Sequence, residues 1–275
     1  MPTQSEKATA FRALHQRQGA FVIPNPWDAG TARLLAHLGF EALATTSAGF
    51  AFSRGRPDGG VTRHEMLDHV AAIVAATDLP VSADLEGGYG DAPKAVAETI
   101  RLAAAAGLVG GSIEDATGHK DDPIYAHALA VERVRAAVEV ARSLPFPFTL
   151  TARSENFLWG RPDLADTIRR LQAFQEAGAD VLYAPGLKSR EEIATLVKAV
   201  DRPINVLAGI PGALGVAALA ELGVKRISVG GSLARAALGA FMKAAREMRD
   251  SGTFTFVDDA PPGREINAIF AGWGK

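Results

Sequence analysis

The chain has 275 residues, 48% hydrophobic and 22% charged, with a formal net charge of −2 and no cysteine. That balance suits a soluble globular enzyme and provides no basic field for nucleic acid. The lack of cysteine excludes disulfides, thiolate metal sites and cysteine nucleophiles.

The first residues, Met1-Pro2-Thr3-Gln4-Ser5-Glu6-Lys7, carry no basic segment leading into an apolar run. No apolar stretch reaches membrane-spanning length, so a cytoplasmic chain without a membrane partner is expected. Residues 5–18 are read as an extra helix, and short apolar runs then recur at 21–24, 42–45, 81–84, 111–114, 148–152, 181–184, 204–207 and 226–229. Each is bounded by Gly, Pro or polar residues, and several are rich in Val and Ile, as buried parallel strands are.

Amphipathic stretches alternate with these runs, at 29–38, 63–76, 92–106, 124–143, 162–177, 190–200, 212–222 and 233–250. Thr62 with Glu65, and Ser189 with Glu192, have capping-box spacing. Pro162 is expected in the first turn of its helix. Gly39, Gly107, Gly178 and Gly223 each follow a helical stretch and precede an apolar residue, as left-handed helix stops do. Eight strand–helix pairs in strict alternation predict an α/β chain folded as one (β/α)₈ barrel domain over residues 1–275. The runner-up is an open doubly wound sheet, disfavoured by the lack of a phosphate-loop signature. Residues 251–275 form a Gly- and Pro-rich tail. In it Ile266, Ile269, Phe270 and Trp273 have the spacing of a short amphipathic helix, suited either to a partner surface or to the chain's own barrel.

In such barrels the reacting residues sit at the C-terminal strand ends. There Asp84, Glu86 and Glu114, with Asp58 from a loop, would gather negative charge that a divalent cation relieves. All-oxygen donors select a hard ion, Mg²⁺ or Mn²⁺. Each carboxylate alone would serve equally as a helix cap or loop ion pair. Gly87, Gly88 and Gly90 let the chain turn sharply after Glu86. Arg153 faces the same mouth and could clamp a carboxylate or stabilise an enolate oxygen, or simply pair with Glu155 or Glu114. Thr46, Ser47 and Ala48 offer backbone N–H groups to an anion, and Asn205 could bind a substrate carboxylate. The loop 117–123 is read as a lid, with His119 and Lys120 as candidate proton donors or as solvated charges.

Together these landmarks resemble the isocitrate lyase / phosphoenolpyruvate mutase superfamily over nearly the whole chain. The matching segments are Asn25-Pro26-Trp27-Asp28-Ala29, Gly55-Arg56-Pro57-Asp58, Asp84-Leu85-Glu86-Gly87-Gly88-Tyr89-Gly90, Ile113-Glu114-Asp115, Ala152-Arg153 and Gly223-Val224-Lys225-Arg226-Ile227-Ser228. The resemblance implies a (β/α)₈ barrel in homodimers or homotetramers that exchange a C-terminal helix. It implies Mg²⁺ on Asp84, Glu86 and Glu114, with Asp58 behind them. It also implies that Arg153 stabilises an enolate, while Thr46, Ser47, Ala48 and Asn205 hold the substrate's anionic groups.

Three departures stand out. The cysteine-bearing loop of the isocitrate and methylisocitrate lyases is replaced by Ala116-Thr117-Gly118-His119-Lys120. A family Glu after strand 6 gives way to Tyr183-Ala184-Pro185, and Glu86 stands where Asp is commoner. The expected activity is a metal-dependent carbon–carbon lyase for a small 2-oxo or 2-hydroxy di- or tricarboxylic acid. A phosphorus–carbon bond enzyme and a non-catalytic 2-oxo acid binder are the alternatives.

Overall fold

The computed structural model describes residues 2–273. Eight strands alternate with helices: β1 (Phe21–Ile23), β2 (Leu43–Ala44), β3 (Val81–Asp84), β4 (Gly110–Glu114), β5 (Thr149–Arg153), β6 (Val181–Tyr183), β7 (Ile204–Leu207) and β8 (Arg226–Ser228). They form one parallel sheet in the order β1-β8-β7-β6-β5-β4-β3-β2. At the seam, the Ala44 N–H donates to the Pro24 carbonyl and the Asn25 side-chain amide to the Thr45 carbonyl, both at 3.1 Å. The expected (β/α)₈ barrel is therefore present, nearly closed.

The helices are α1 (Gln4–Gln16), α2 (Ala29–His37), α3 (Ser47–Ser53), α4 (Arg63–Ala75), α5 (Pro93–Ala105), α6 (His127–Ser143), α7 (Leu164–Glu176), α8 (Arg190–Ala199), α9 (Val216–Glu221), α10 (Ser232–Ser251) and α11 (Gly263–Ala271). The capping boxes at Thr62 and Ser189 form as expected. Gly39, Gly107, Gly178 and Gly223 are left-handed, with φ from 83° to 105°. None of the helices is long and apolar enough to cross a membrane among the described residues.

Several boundaries differ from expectation, each for a local reason. Helix α7 begins at Leu164, not Pro162, because the Asp163 carboxylate caps it by accepting from the Asp166 N–H at 2.9 Å. Helix α6 begins at His127 because Ile124 instead bridges Ala116 and closes the base of the 117–123 loop. Helix α9 is short: left-handed Gly212 follows Pro211 and breaks its first turns. Helix α3 was not expected at all. Thr46 caps it, accepting from the Gly49 N–H at 3.2 Å. A Cβ on Gly49 would lie 3.0 Å from that of Trp27 and 3.2 Å from that of Ala234, so only glycine lets α3 pack this closely.

Strand alternation divides the residues between two environments. Val81, Ala83, Leu150, Ala152, Ile204, Val206 and Ile227 face the helices and join the main core. Ser82, Asp84, Ser112, Arg153, Asn205 and Arg226 line the barrel interior. That interior is polar, so the strands are less uniformly apolar than buried parallel strands commonly are. A second core of Ala8, Phe11, Leu14, Phe21, Ile23, Ala42 and Val109 plugs the N-terminal end of the barrel with α1. Removing the fully buried ring of Phe11 would cost about 3–5 kcal/mol and open that floor.

Candidate active site

At the C-terminal strand ends lies a cavity of about 760 Å³. Ala44, Ser82, Ser112 and Ser228 line it, and their small size lets it run down into the barrel. Five carboxylates (Asp58, Asp84, Glu86, Glu114 and Glu155) and two guanidiniums (Arg153 and Arg226) face it. Negative charge is in excess.

Arg153 sits at the centre of the acidic side. It donates to Asp84 at 2.8 Å and to Glu155 at 2.8 Å, and pairs with Glu114 at 3.1 Å. Its guanidinium also stands 5.2 Å from the centre of the Tyr183 ring. Both partners weighed for Arg153 from sequence are therefore engaged, with Asp84 as a third. Glu155 is held in turn from below. Its N–H donates to Asp115 at 2.8 Å, and Asp115 pairs with Arg170 at 3.2 Å. Arg170 also bonds Asp166 at 2.7 Å. This buried chain anchors the end of β5 to α7.

On the mouth side, the Ser47 hydroxyl lies 2.9 Å from Asp84 and 3.0 Å from Asp58. Burial and the nearby Asp84 charge raise the Asp58 pKa. Burial, then Asp84 and Asp58, push Glu86 up to about 7. Burial also raises Glu114 above the ordinary carboxylate range, against the pull of Arg153. The backbone contributes as well. Glu86 and Tyr89 are both left-handed, with φ of 48° and 57°. Such strain in non-glycine residues clusters at functional sites. The turn after β3 thus uses left-handed Gly88 as expected, but Glu86 itself is bent with it. Gly87 is not left-handed; its carbonyl accepts from Arg133.

Asp84, Glu86, Glu114, Asp58, Arg153, Thr46, Ser47, Ala48 and Asn205 all line the one cavity. His119 and Lys120 do not. They are exposed on the 117–123 loop, whose Thr117 and Gly118 border the cavity. Asn205 accepts from Arg226 at 2.9 Å and donates to Ser228 at 3.0 Å. Arg226 and Asn25 also line the cavity, outside the site residues expected from sequence. A charged residue at an inward position of a strand was the available signal for Arg226. Asn25 accepts from the N–H groups of Val229 and Gly230, both at 2.9 Å, and so ties the loop after β8 to β1.

A hard divalent cation fits this site by charge and donor type, since buried carboxylates outnumber guanidiniums and every donor is oxygen. It does not fit as a tight cage. Among the described residues, no three acidic, imidazole or thiol side chains stand close enough to hold one ion. Mg²⁺ commonly keeps several waters, so a largely water-mediated fit is the relevant one.

Residues 11–249 match the phosphoenolpyruvate phosphomutase family. The chain belongs to this family, and with it to the isocitrate lyase / phosphoenolpyruvate mutase superfamily of lyases and mutases. Among its relatives, an uncharacterised protein of Mycobacterium tuberculosis (strain H37Rv) is 35% identical, over 88% of this chain and 89% of its own. An oxaloacetate decarboxylase of Chromohalobacter salexigens is 30% identical, over 90% and 88%. The barrel superimposes on a Burkholderia cenocepacia J2315 protein provisionally described as a lyase/mutase, with TM-score 0.96, 67% identity and 98% and 96% coverage. Oxaloacetate acetylhydrolase with its product oxalate gives TM-score 0.87 and 28% identity, covering 98% and 95%. Phosphonopyruvate hydrolase, solved with oxalate and Mg²⁺, gives 0.86 and 25%, covering 97% and 95%.

Proposed function

We propose that the chain is a Mg²⁺-dependent carbon–carbon lyase for a small 2-oxo or 2-hydroxy di- or tricarboxylic acid, of the oxaloacetate type. The observation that carries this reading is Arg153, held among Asp84, Glu114 and Glu155 at the base of a cavity with excess carboxylate. Asp84, Glu86 and Glu114 would hold the ion, in part through water. When bound, Mg²⁺ supplies Lewis-acid polarisation of the substrate's oxo group.

The side chains supply the rest. Arg153 is fixed by three carboxylates, so it meets developing negative charge without reorganising. With an oxaloacetate-type acid, the far carbon–carbon bond breaks, carbon dioxide leaves, and the electron pair stays on the oxo-acid fragment as an enolate. One proton delivered to carbon completes the reaction. Ser47 orients Asp84 and Asp58, and Asp58 holds a proton more readily than an ordinary aspartate. Thr117 and Gly118 border the cavity, so closure of their loop would exclude water and bring His119 or Lys120 nearer. This chemistry makes little demand on the missing cysteine.

We also place the active form in a homo-oligomer. Leu238, Phe241, Met242 and Met248 are exposed along α10, with Phe241 at 70%. In contrast Ile266, Ile269, Phe270 and Trp273 are half-buried, and α11 lies against α2 of the same chain. The apolar stripe seeking a partner is thus on α10.

The test is turnover of oxaloacetate, isocitrate, methylisocitrate and phosphonopyruvate with Mg²⁺ and with a chelator. Metal-dependent release of carbon dioxide or another carbon fragment is expected. Phosphate release from phosphonopyruvate would instead establish the phosphorus–carbon reading. Ligand affinity without turnover under any divalent ion would leave a binder.

A further inference from the structure

Arg133, Arg170 and Arg226 are buried among the described residues, and Arg153 nearly so at 12% side-chain exposure. Arg153 faces three carboxylates, and Arg170 bonds Asp115 and Asp166. Arg133 also lacks an ion pair among the described residues and has an unpartnered Nε, but it donates to the backbone carbonyls of Gly87, Gly90 and Asp91 and stacks on Tyr125. Arg226 has fewer acceptors and, unlike Arg133, lines the cavity. It is 5% exposed, its Nε donates to the Asn205 amide oxygen at 2.9 Å, and its Nη1 is buried with no partner. No ion pair reaches it among the described residues. An unmatched buried charge is among the costliest features a fold can hold, unless something else supplies the counter-charge.

Arg226 is also part of the cavity wall. Burial pulls its pKa down to about 10, which leaves it a cation at neutral pH. The register joins it to the acidic side through adjacent strands: Arg153 pairs with Tyr183, Tyr183 with Asn205, and Asn205 with Arg226. Arg153 and Arg226 are therefore three strand spacings apart, at most about 14 Å along the sheet. Both side chains face the same interior, so the space between them suits a short molecule. The cavity has an acidic pole with excess carboxylate and a basic pole with no carboxylate paired to it among the described residues.

We propose that Arg226 is a second anion site, which receives the far carboxylate of a diacid whose oxo- or hydroxy-acid end lies at Arg153 and the acidic cluster. This rests on the function proposed above and narrows the substrate class to dicarboxylates of about four carbons; where the far carboxylate is itself lost as carbon dioxide, its charge leaves Arg226 as the bond breaks, so the pairing serves binding and selection, not the chemical step. Asn205 and Arg226 divide the work. The guanidinium holds the Asn205 oxygen, which turns the amide nitrogen toward Ser228 and the cavity. A neutral far end would leave Arg226 unmatched, so the site would reject monoacids more strongly than contact area predicts.

The test titrates oxalate, which fills only the metal end, and malate, a four-carbon hydroxy diacid, into the Mg²⁺-loaded protein by calorimetry. In R226Q, malate should weaken by about 10- to 100-fold, the range for a lost charge-assisted pair, while oxalate changes by less than about 3-fold. R226K keeps the charge and should recover part of the malate affinity. A second measurement needs no variant: wild-type protein should prefer malate to its analogue with the far carboxylate converted to an amide, by about 10-fold or more. Equal shifts of malate and oxalate in R226Q, or equal affinity for malate and its amide, would overturn the assignment of Arg226 alone. Failure of the wild type to bind oxalate with Mg²⁺ would overturn the reading of the acidic pole, and this one with it.

Discussion

The β3–β5 side of the cavity carries more negative charge than Arg153 can match, whereas the β7–β8 side carries a guanidinium with no ion pair among the described residues. On the first side the imbalance shows as raised carboxylate pKa values at Glu86, Asp58 and Glu114. On the second it shows as an orphaned Nη1. Each side lacks what the other has in surplus, yet Tyr183 and Asn205 stand between them in the register. The two poles therefore do not neutralise each other directly. Their separation is what a substrate with a metal-binding end and a charged far end would bridge.

The contrast breaks most sharply at Asp84, which bonds both Arg153 and Ser47. Asp84→Ala should lower kcat by about 1000-fold or more and abolish Mg²⁺ binding followed by titration, since metal and arginine lose a shared anchor. Full activity of the variant in chelator would remove the metal from the argument. Arg153→Lys comes next. A lysine keeps the charge but cannot reach three carboxylates at once. Its kcat should fall by about 100- to 1000-fold with a smaller change in Mg²⁺ affinity. A variant that loses metal binding as severely as Asp84→Ala would show that Arg153 builds the site rather than meets charge in the reaction.

Ser47→Ala is smaller again. It removes the hydroxyl bridging Asp58 and Asp84 but no charge. A fall of about 10-fold in kcat/KM is expected, the lower range for groups that orient a metal-site ligand. An unchanged rate would place Ser47 outside the working geometry.

The same contrast explains what could be read from the sequence. Acidic residues at strand ends announce themselves by type and position, so Asp84, Glu86 and Glu114 were visible, as was Arg153 beside them. The barrel was visible because apolar runs and glycine helix stops are local signals. Arg226 was not singled out because its meaning depends on what fails to surround it, and only the assembled interior shows that. Helix α3 was hidden for a different reason. Its sequence, Ser47-Ala48-Gly49-Phe50-Ala51-Phe52-Ser53, has no clear helical periodicity, and it is held by the Thr46 cap and close packing of Gly49 on Trp27. The polar barrel lining was likewise masked, because serine and threonine at alternate strand positions look unremarkable until the alternation is assigned to inside and outside.

The smallest effect on turnover is expected beneath the basic pole, where His15 sits edge-on between Phe11 and Phe21 in the barrel floor. Burial, and then the charge of Arg226, hold its pKa at about 3 instead of 6.5. The folded protein therefore keeps His15 neutral while the unfolded chain binds a proton below about pH 6.5. Between those two values the unfolded state holds more protons, so stability is complete above 6.5 and declines as pH falls toward 3. By pH 4 the loss from this residue is roughly 3 kcal/mol. His15→Phe keeps a ring between the two phenylalanines and removes the titration. Denaturant melts from pH 7 to 4 should show a flatter stability profile for the variant, with kcat at pH 7 within about 2-fold of the wild type. Parallel profiles would mean that protonation elsewhere governs acid unfolding. His69 on α4, held near 4 by burial, is then the group to substitute next.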